Sequence, residues 1–292
     1  MLRKICILAC SLGLACNGTT EDTGDTEDTD VWQGDIIGDF TCYTPGESWL
    51  TQTVAESKKQ TRTLNGAVVD FQSEKPVPDA TIQFYFMDDV SQTTDAVATS
   101  DQDGMFTTDV PTCQPVAYRV STDPALDATK VTWESHQVFP YSEEGEVTSD
   151  LNSVSKTTYA IIPGVLGVSV DVDKSVIAGA AYDCEGTEVE GGQVRVVSVT
   201  DQSTPDGVAI NYFSDSFPSR DQKVISADGL WLAANVPPGT WEVQLWGLQD
   251  GQEVHLGSTL LDTFADSINI ANIYAGYGSG VRLPDECTEE AE

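Results

Sequence analysis

With 292 residues, 47 acidic side chains against 14 basic ones and a formal net charge of −33, the chain is strongly acidic. A field of that sign repels phosphate backbones and anionic head groups, which excludes nucleic-acid binding and favours basic partners or divalent cations. The length allows two ordinary domains with cores of their own, and no apolar run approaches what a membrane-spanning helix needs. Arg3 and Lys4 give a basic start, an apolar run fills 5–15, and Cys16 follows Leu14 and Ala15. A basic n-region, a short apolar stretch and a small residue before the cut define 1–15 as an export signal peptide. Glu21, Asp22, Asp25, Glu27, Asp28, Asp30 and Asp35 come next, with no Lys or Arg between Lys4 and Lys58. Such a segment cannot bury enough apolar surface to offset the entropy of ordering, so 16–39 is expected to be a disordered acidic tether.

From there the chain reads as strands. At 81–86, Ile82, Phe84 and Phe86 share one face; at 193–200, Val194 and Val196 oppose Arg195, Val197 and Val199; 241–245 alternates likewise. Period-two patterning of β-branched and aromatic residues between Gly, Pro and Asp turns predicts an all-β protein. The pattern repeats. Gly66, Val68 and Asp70 recur as Gly179, Ala181 and Asp183; Val77, Ala80 and Ile82 recur as Val189, Gly192 and Val194; Asp103, Gly104 and Phe106 recur as Asp228, Gly229 and Trp231. The Asp-Gly pairs suit tight hairpins. Between the copies, 130–133 and 136–139 are expected as edge strands of the first domain, and 155–167 as a short helical turn packed between domains.

These residues carry two resemblances. The N-terminus resembles a bacterial lipoprotein signal, with cleavage before Cys16 and acylation of that cysteine. Gly13 and Ala15 also satisfy an ordinary secretory cut, which would release a soluble secreted or periplasmic protein. Cysteine counting favours the lipid. Of seven cysteines, Cys6 and Cys10 leave with the signal, and acylating Cys16 leaves the even set Cys42, Cys113, Cys184 and Cys287 for an oxidising compartment. The repeated motifs, over 60–122 and 174–275, resemble the carboxypeptidase-regulatory-like family, related to transthyretin and to the B-type repeats of collagen adhesins. The resemblance implies two tandem Greek-key, transthyretin-like β-sandwiches of accessory, stalk or binding type, an implication drawn by analogy. The expected order is signal 1–15, tether 16–39, first sandwich 40–122, connecting segment 123–173, second sandwich 174–287 and acidic tail 288–292. Four thiols permit three pairings. In the two-copy picture, 42–113 and 184–287 are expected, each bridge stapling the ends of one domain.

Chemistry is sparse. His136 and His255 lack zinc-ligand spacing, and neither a nucleophile elbow nor a phosphate loop occurs, so no enzyme is expected and His136 is expected to be a surface or packing residue rather than a base. Asp101 and Asp103 place two carboxylates on one tight turn, with Asp88, Asp89 and Asp95 as further oxygen donors, a set that suits calcium. The same residues are what a plain Asp-Gly hairpin uses. Trp246, among polar neighbours on its strand and joined by Trp231 and Tyr212, offers rings for stacking on sugar; covering a second apolar layer is the alternative. The expected function is that of a non-catalytic lipoprotein at the outer membrane or cell surface, anchored in the membrane through its lipid and presenting a surface to an envelope protein or polysaccharide. Carbohydrate binding and service as an accessory subunit of an envelope enzyme or secretion complex are the alternatives.

Overall fold

A computed structural model describes residues 32–292 apart from positions 45, 127, 215–216, 279–280 and 289–292. The signal, Cys16 and most of the tether lie outside the described residues. The first copy comprises β1 (Thr61–Asp70), β2 (Ala80–Phe86), β3 (Ala96–Thr99), β4 (Met105–Pro111), β5 (Pro115–Thr122), β6 (Thr129–Val138), β7 (Glu146–Thr148) and β8 (Leu151–Ser155). Helix α1 (Lys156–Leu166) follows. The second copy comprises β9 (Ser175–Tyr182), β10 (Gln193–Ser198), β11 (Ala209–Ser214), β12 (Phe217–Ser219), β13 (Leu230–Val236), β14 (Gly239–Gln249), β15 (Gln252–Thr263), β16 (Ser267–Ile270) and β17 (Ile273–Tyr274).

Each copy is a sandwich of two facing layers. In the first, β3, β2, β5 and β6 face β4, β1, β7 and β8, because alternation turns Leu64, Val68, Ile82, Phe84, Phe106 and Tyr118 into one core. In the second, β12, β11, β13, β9 and β16 face β10, β14 and β15, with Ile177, Trp231, Val194, Val243, Leu245 and Leu256 between them. The duplication runs further than the sequence motifs. In both copies the first strand has an antiparallel neighbour, β4 or β13, and a parallel one, β7–β8 or β16–β17. Each parallel partner breaks at one equivalent place: Asp150 Oδ1 accepts the Ala67 N–H, and Asn272 Oδ1 accepts the Ala180 N–H.

The region expected as a connector is therefore built differently. The stretches 130–133 and 136–139 belong mainly to one strand, β6, which lies between β5 and β16 rather than at an edge. Strands β7 and β8 complete the first sandwich, which extends to Ser155. The expected helical turn is a helix of three turns. The Ser155 hydroxyl accepts the Thr158 N–H at its start, and Gly167, at φ 73°, ends it in the left-handed region.

Strand β16 joins the copies, pairing in parallel with β9 on one side and with β6 of the first copy on the other. One sheet therefore runs β12-β11-β13-β9-β16-β6-β5-β2-β3 through both sandwiches. Trp133 stacks on Phe264 at 4.1 Å across the same seam, and Lys130 pairs with Asp266. Trp32–Glu292 form one compact unit.

The chain ends cross over, which corrects the expected disulfides. Residues 36–43, assigned from sequence to the tether and first sandwich, lie on the second: Ile36 is in its core, and Ile37 bridges to Glu190. After β17 the chain returns to the first copy, where Cys287 lies in a small apolar cluster with Cys113. The bonds are Cys42–Cys184 and Cys113–Cys287, with Cα separations of 5.7 and 5.2 Å. Pairing within each copy fails because each chain end packs on the opposite copy.

Candidate functional site

The seam between the sandwiches holds the buried Glu134 and the largely buried His136. Opposite Val116 and Tyr118 of β5, β6 carries an extra residue between Gln137 and Glu134, a β-bulge with His136 at φ 63°. The bulge aims the imidazole into the second copy. Its Nδ1 lies 2.7 Å from Asp88 Oδ2, and its Nε2 lies 2.6 Å from the Leu260 carbonyl oxygen. Burial disfavours the imidazolium, but the hydrogen bond and charge of Asp88, the Leu260 carbonyl and the Asp262 charge outweigh it. The pKa is raised above the ordinary 6.5. A doubly protonated ring donates to both partners and clasps the two copies together. From the sequence His136 is expected at the surface or in packing; the positive φ that turns it across the seam leaves no mark in the sequence.

Two residues earlier, Glu134 is buried. Tyr118 donates its hydroxyl proton to Glu134 Oε2, and Gln137 Nε2 donates to Oε1 at 2.8 Å. Tyr118 in turn accepts the Asn152 N–H at 2.9 Å. Burial raises the Glu134 pKa to about 7, against the hydrogen bonds from Tyr118 and Asn152. Nearby, Tyr182 is pushed up to about 12, first by burial.

Both groups bend stability with pH in one direction. The raised acid binds its proton more tightly in the folded state, so stability is lost as pH climbs from 4.5 to about 7. The His136 contribution is full below 6.5 and is lost as pH rises through its raised pKa. Asp70, whose pKa is lowered by hydrogen bonds from Ser73 and Ser155 against burial, acts the other way and loses its contribution only as pH falls below the carboxylate range. The urea midpoint is expected to be highest near pH 5 and to fall toward pH 8. In Glu134→Gln the fall should shrink by up to about 3 kcal/mol. An unchanged pH slope in that variant would contradict the assignment.

Against this seam lies a cavity of about 170 Å³. Its floor is the outer face of β9, β13 and β16, where Ala178, Ala234 and Ile268 line it. Its roof is Tyr159 and Pro163 of α1 with Val168 and Val170 beyond, and Glu134 and Tyr182 stand at its end. A second, polar cleft beside His136 and Arg282 shares only Asn272 with it.

The residues expected to bind sugar form no common exposed platform: Tyr212 and Trp231 face each other across β11 and β13 inside the second core, and Trp246 lies on another sheet. Trp231 is fully buried in the second core, and Tyr212 is buried with its hydroxyl oxygen accepting the Val194 N–H. Trp246 lies on the outer face of β14, between neighbours from both adjoining strands: His255 of β15 stacks on it at 4.9 Å, and the Arg195 guanidinium of β10 lies 4.2 Å from the ring centroid. Trp49 meets His255 edge-on and stacks on Tyr43, which extends the row. Alternation placed Trp246 outward, but its covering came from residues far away in sequence. Asp101 Oδ1 accepts the N–H groups of Asp103 and Met105, closing its own hairpin. Asp88, Asp89 and Asp95 bond within another loop or to His136. Among the described residues no three acidic, His or Cys side chains cluster as a metal site.

No family model matches the sequence, and no curated protein matches it. Among solved structures, the shaft pilin spaA from Lactobacillus rhamnosus GG aligns over its whole length with 77% of this chain, at 13% identity and a TM-score of 0.26. The TIE protein of Bacillus anthracis aligns with 74% of this chain at 9% identity and a TM-score of 0.25, and the alignment spans 33% of that protein. A streptococcal ancillary pilin aligns over 63% of its length with 76% of this chain, at 12% identity and a TM-score of 0.24. Likenesses this low settle neither fold nor function; the β-sandwich assignment stands on the strand pairings.

Proposed function

We propose that the protein is an exported, non-catalytic lipoprotein of the cell envelope, anchored through Cys16, held off the membrane by its acidic segment, and presenting two carboxypeptidase-regulatory-like sandwiches as one binding or scaffolding surface. The supporting observation is the crossed pair of disulfides, which ties each end of the chain to the far copy. Bridges of this kind persist where the surroundings are oxidising, and with the shared sheet they suit a fixed surface better than a moving catalytic cleft. A protein partner or a polysaccharide would be bound at that surface.

The anchor is tested by fractionating cells that make the full chain or its Cys16→Ser variant. The full chain should be found in the membrane fraction and the variant in soluble material. A variant that stays with the membrane would overturn the anchor. Retention on envelope fragments, compared after protease and after periodate, separates a protein partner from a glycan, and no retention on either would remove the binding role.

A further inference from the structure

We propose that the cavity beneath α1 is a binding site for a small uncharged apolar group, a single aromatic ring or a branched alkyl chain of similar size. Its volume of about 170 Å³ is close to the ~150 Å³ at which an apolar protein cavity accepts benzene. The hollow has an identifiable origin. Ala178 of β9 pairs with Leu232 of β13, and Ala234 of β13 pairs with Val176 of β9. Together with Ala180, which pairs with Leu230, these small residues on adjoining strands leave a dent among Val176, Leu230, Leu232 and Ile268.

Three polar atoms at its edge already hold hydrogen bonds. Both Glu134 oxygens accept hydrogen bonds, from Tyr118 and Gln137, and Asn272 Oδ1 accepts the Ala180 N–H. A charged head group would give up its hydration on entering a hollow lined mostly by apolar side chains, and burying a charge is costly. A neutral hydrocarbon has no such requirement.

The roof is suited to opening. Helix α1 includes Thr157, Thr158, Ile161, Pro163 and Gly164, all weak helix formers. It is held at its start by the Ser155 cap and near its end by Arg220, whose guanidinium donates to the Gly164 and Val165 carbonyls. Pro163 donates no hydrogen bond within the helix, so lifting its turn means releasing the Arg220 bonds and those its carbonyl accepts from the Gly167 and Val168 N–H groups.

The proposal rests on the cavity alone and is independent of envelope anchoring. The test is a thermal melt of the full chain with toluene as probe. At about ten times its Kd, toluene should raise Tm by about 3 °C, while benzylamine and benzoate at the same concentration should leave Tm unchanged. Ala178→Leu, which fills the dent, should abolish the toluene shift. No shift in the wild type up to the solubility of toluene would overturn the proposal, as would an equal shift in Ala178→Leu or with either charged ring. Should Ala178→Leu fail to fold, methyl NMR of the wild type decides. Toluene should move the Val176, Leu232 and Ile268 methyl signals, and shifts confined to other residues would place the guest elsewhere.

Discussion

Replacing both Cys42 and Cys184 by Ala is expected to lower stability by about 5 kcal/mol in the chain-entropy model. The reason is loop length. The bond closes a sequence separation of 142, and Cys113–Cys287 closes one of 174, so each strongly restricts the unfolded ensemble. Because the two loops overlap, removing both bonds should cost less than twice as much. The local effects differ. Without Cys42–Cys184, the segment around Ile36 keeps its place on the second core through Ile36, Phe40 and Tyr43 and through the hydrogen bonds of Asp35, Ile36, Ile37 and Asp39. Without Cys113–Cys287, Leu283 and Cys287 lose their anchor in the cluster around Val54. Urea midpoints of the two double variants give the magnitudes. A non-reducing peptide map gives the connectivity, and a peptide joining 42 to 113 would disprove the crossing.

The second large effect is expected at two glycines that occupy the same place in the two copies. A Cβ on Gly66 would lie 1.9 Å from the Ser149 carbonyl oxygen, and one on Gly179 would lie 1.9 Å from the Ala271 carbonyl oxygen. Each obstacle is backbone, so the strands themselves must part. Gly66→Ala and Gly179→Ala should each cost about 3 kcal/mol or more. Gly179→Ala should be the worse, because it pushes on the chain just beyond β16, the strand that also pairs with β6. Gly164→Ala is the control. Nothing lies within 4 Å of its added carbon, and exchanging glycine for alanine inside a helix should stabilise it by about 1 kcal/mol. A wild-type urea midpoint for Gly179→Ala would mean that the strands do not approach as described.

Much of the fold was legible in the sequence. Alternation at 81–86 and 193–198 located strands, and the recurrence of Gly66 and Asp70 as Gly179 and Asp183 located the duplication. The parallel partner of each copy's first strand escaped. Runs such as Glu146–Thr148 and Ser267–Ile270 are only 3 and 4 residues long, too short to show a period, and their identity depends on parallel pairing with a strand far back in the chain. Cysteine pairing escaped for a related reason: it depends on where the chain ends travel, and residues 36–43 carry little patterning beyond Ile36 and Ile37. The cavity was not legible, since its lining comes from β9, β13, β16, α1 and Glu134 together. Glu134 looked like one polar residue among Trp133, Ser135 and His136, and only the three-dimensional fold surrounds it.

The crossed bonds also fix where tension would run. A pull arriving from the N-terminal side meets the second sandwich at Ile36 and then passes through the Cys42–Cys184 bond directly into β9's end of the molecule. Residues 43–183, which include the entire first sandwich, lie off that covalent line. A partner gripped by the second sandwich would therefore be held against drag through a short, inextensible connection. The first sandwich lies outside that covalent path and could not be unravelled by the pull while the bond remains oxidised.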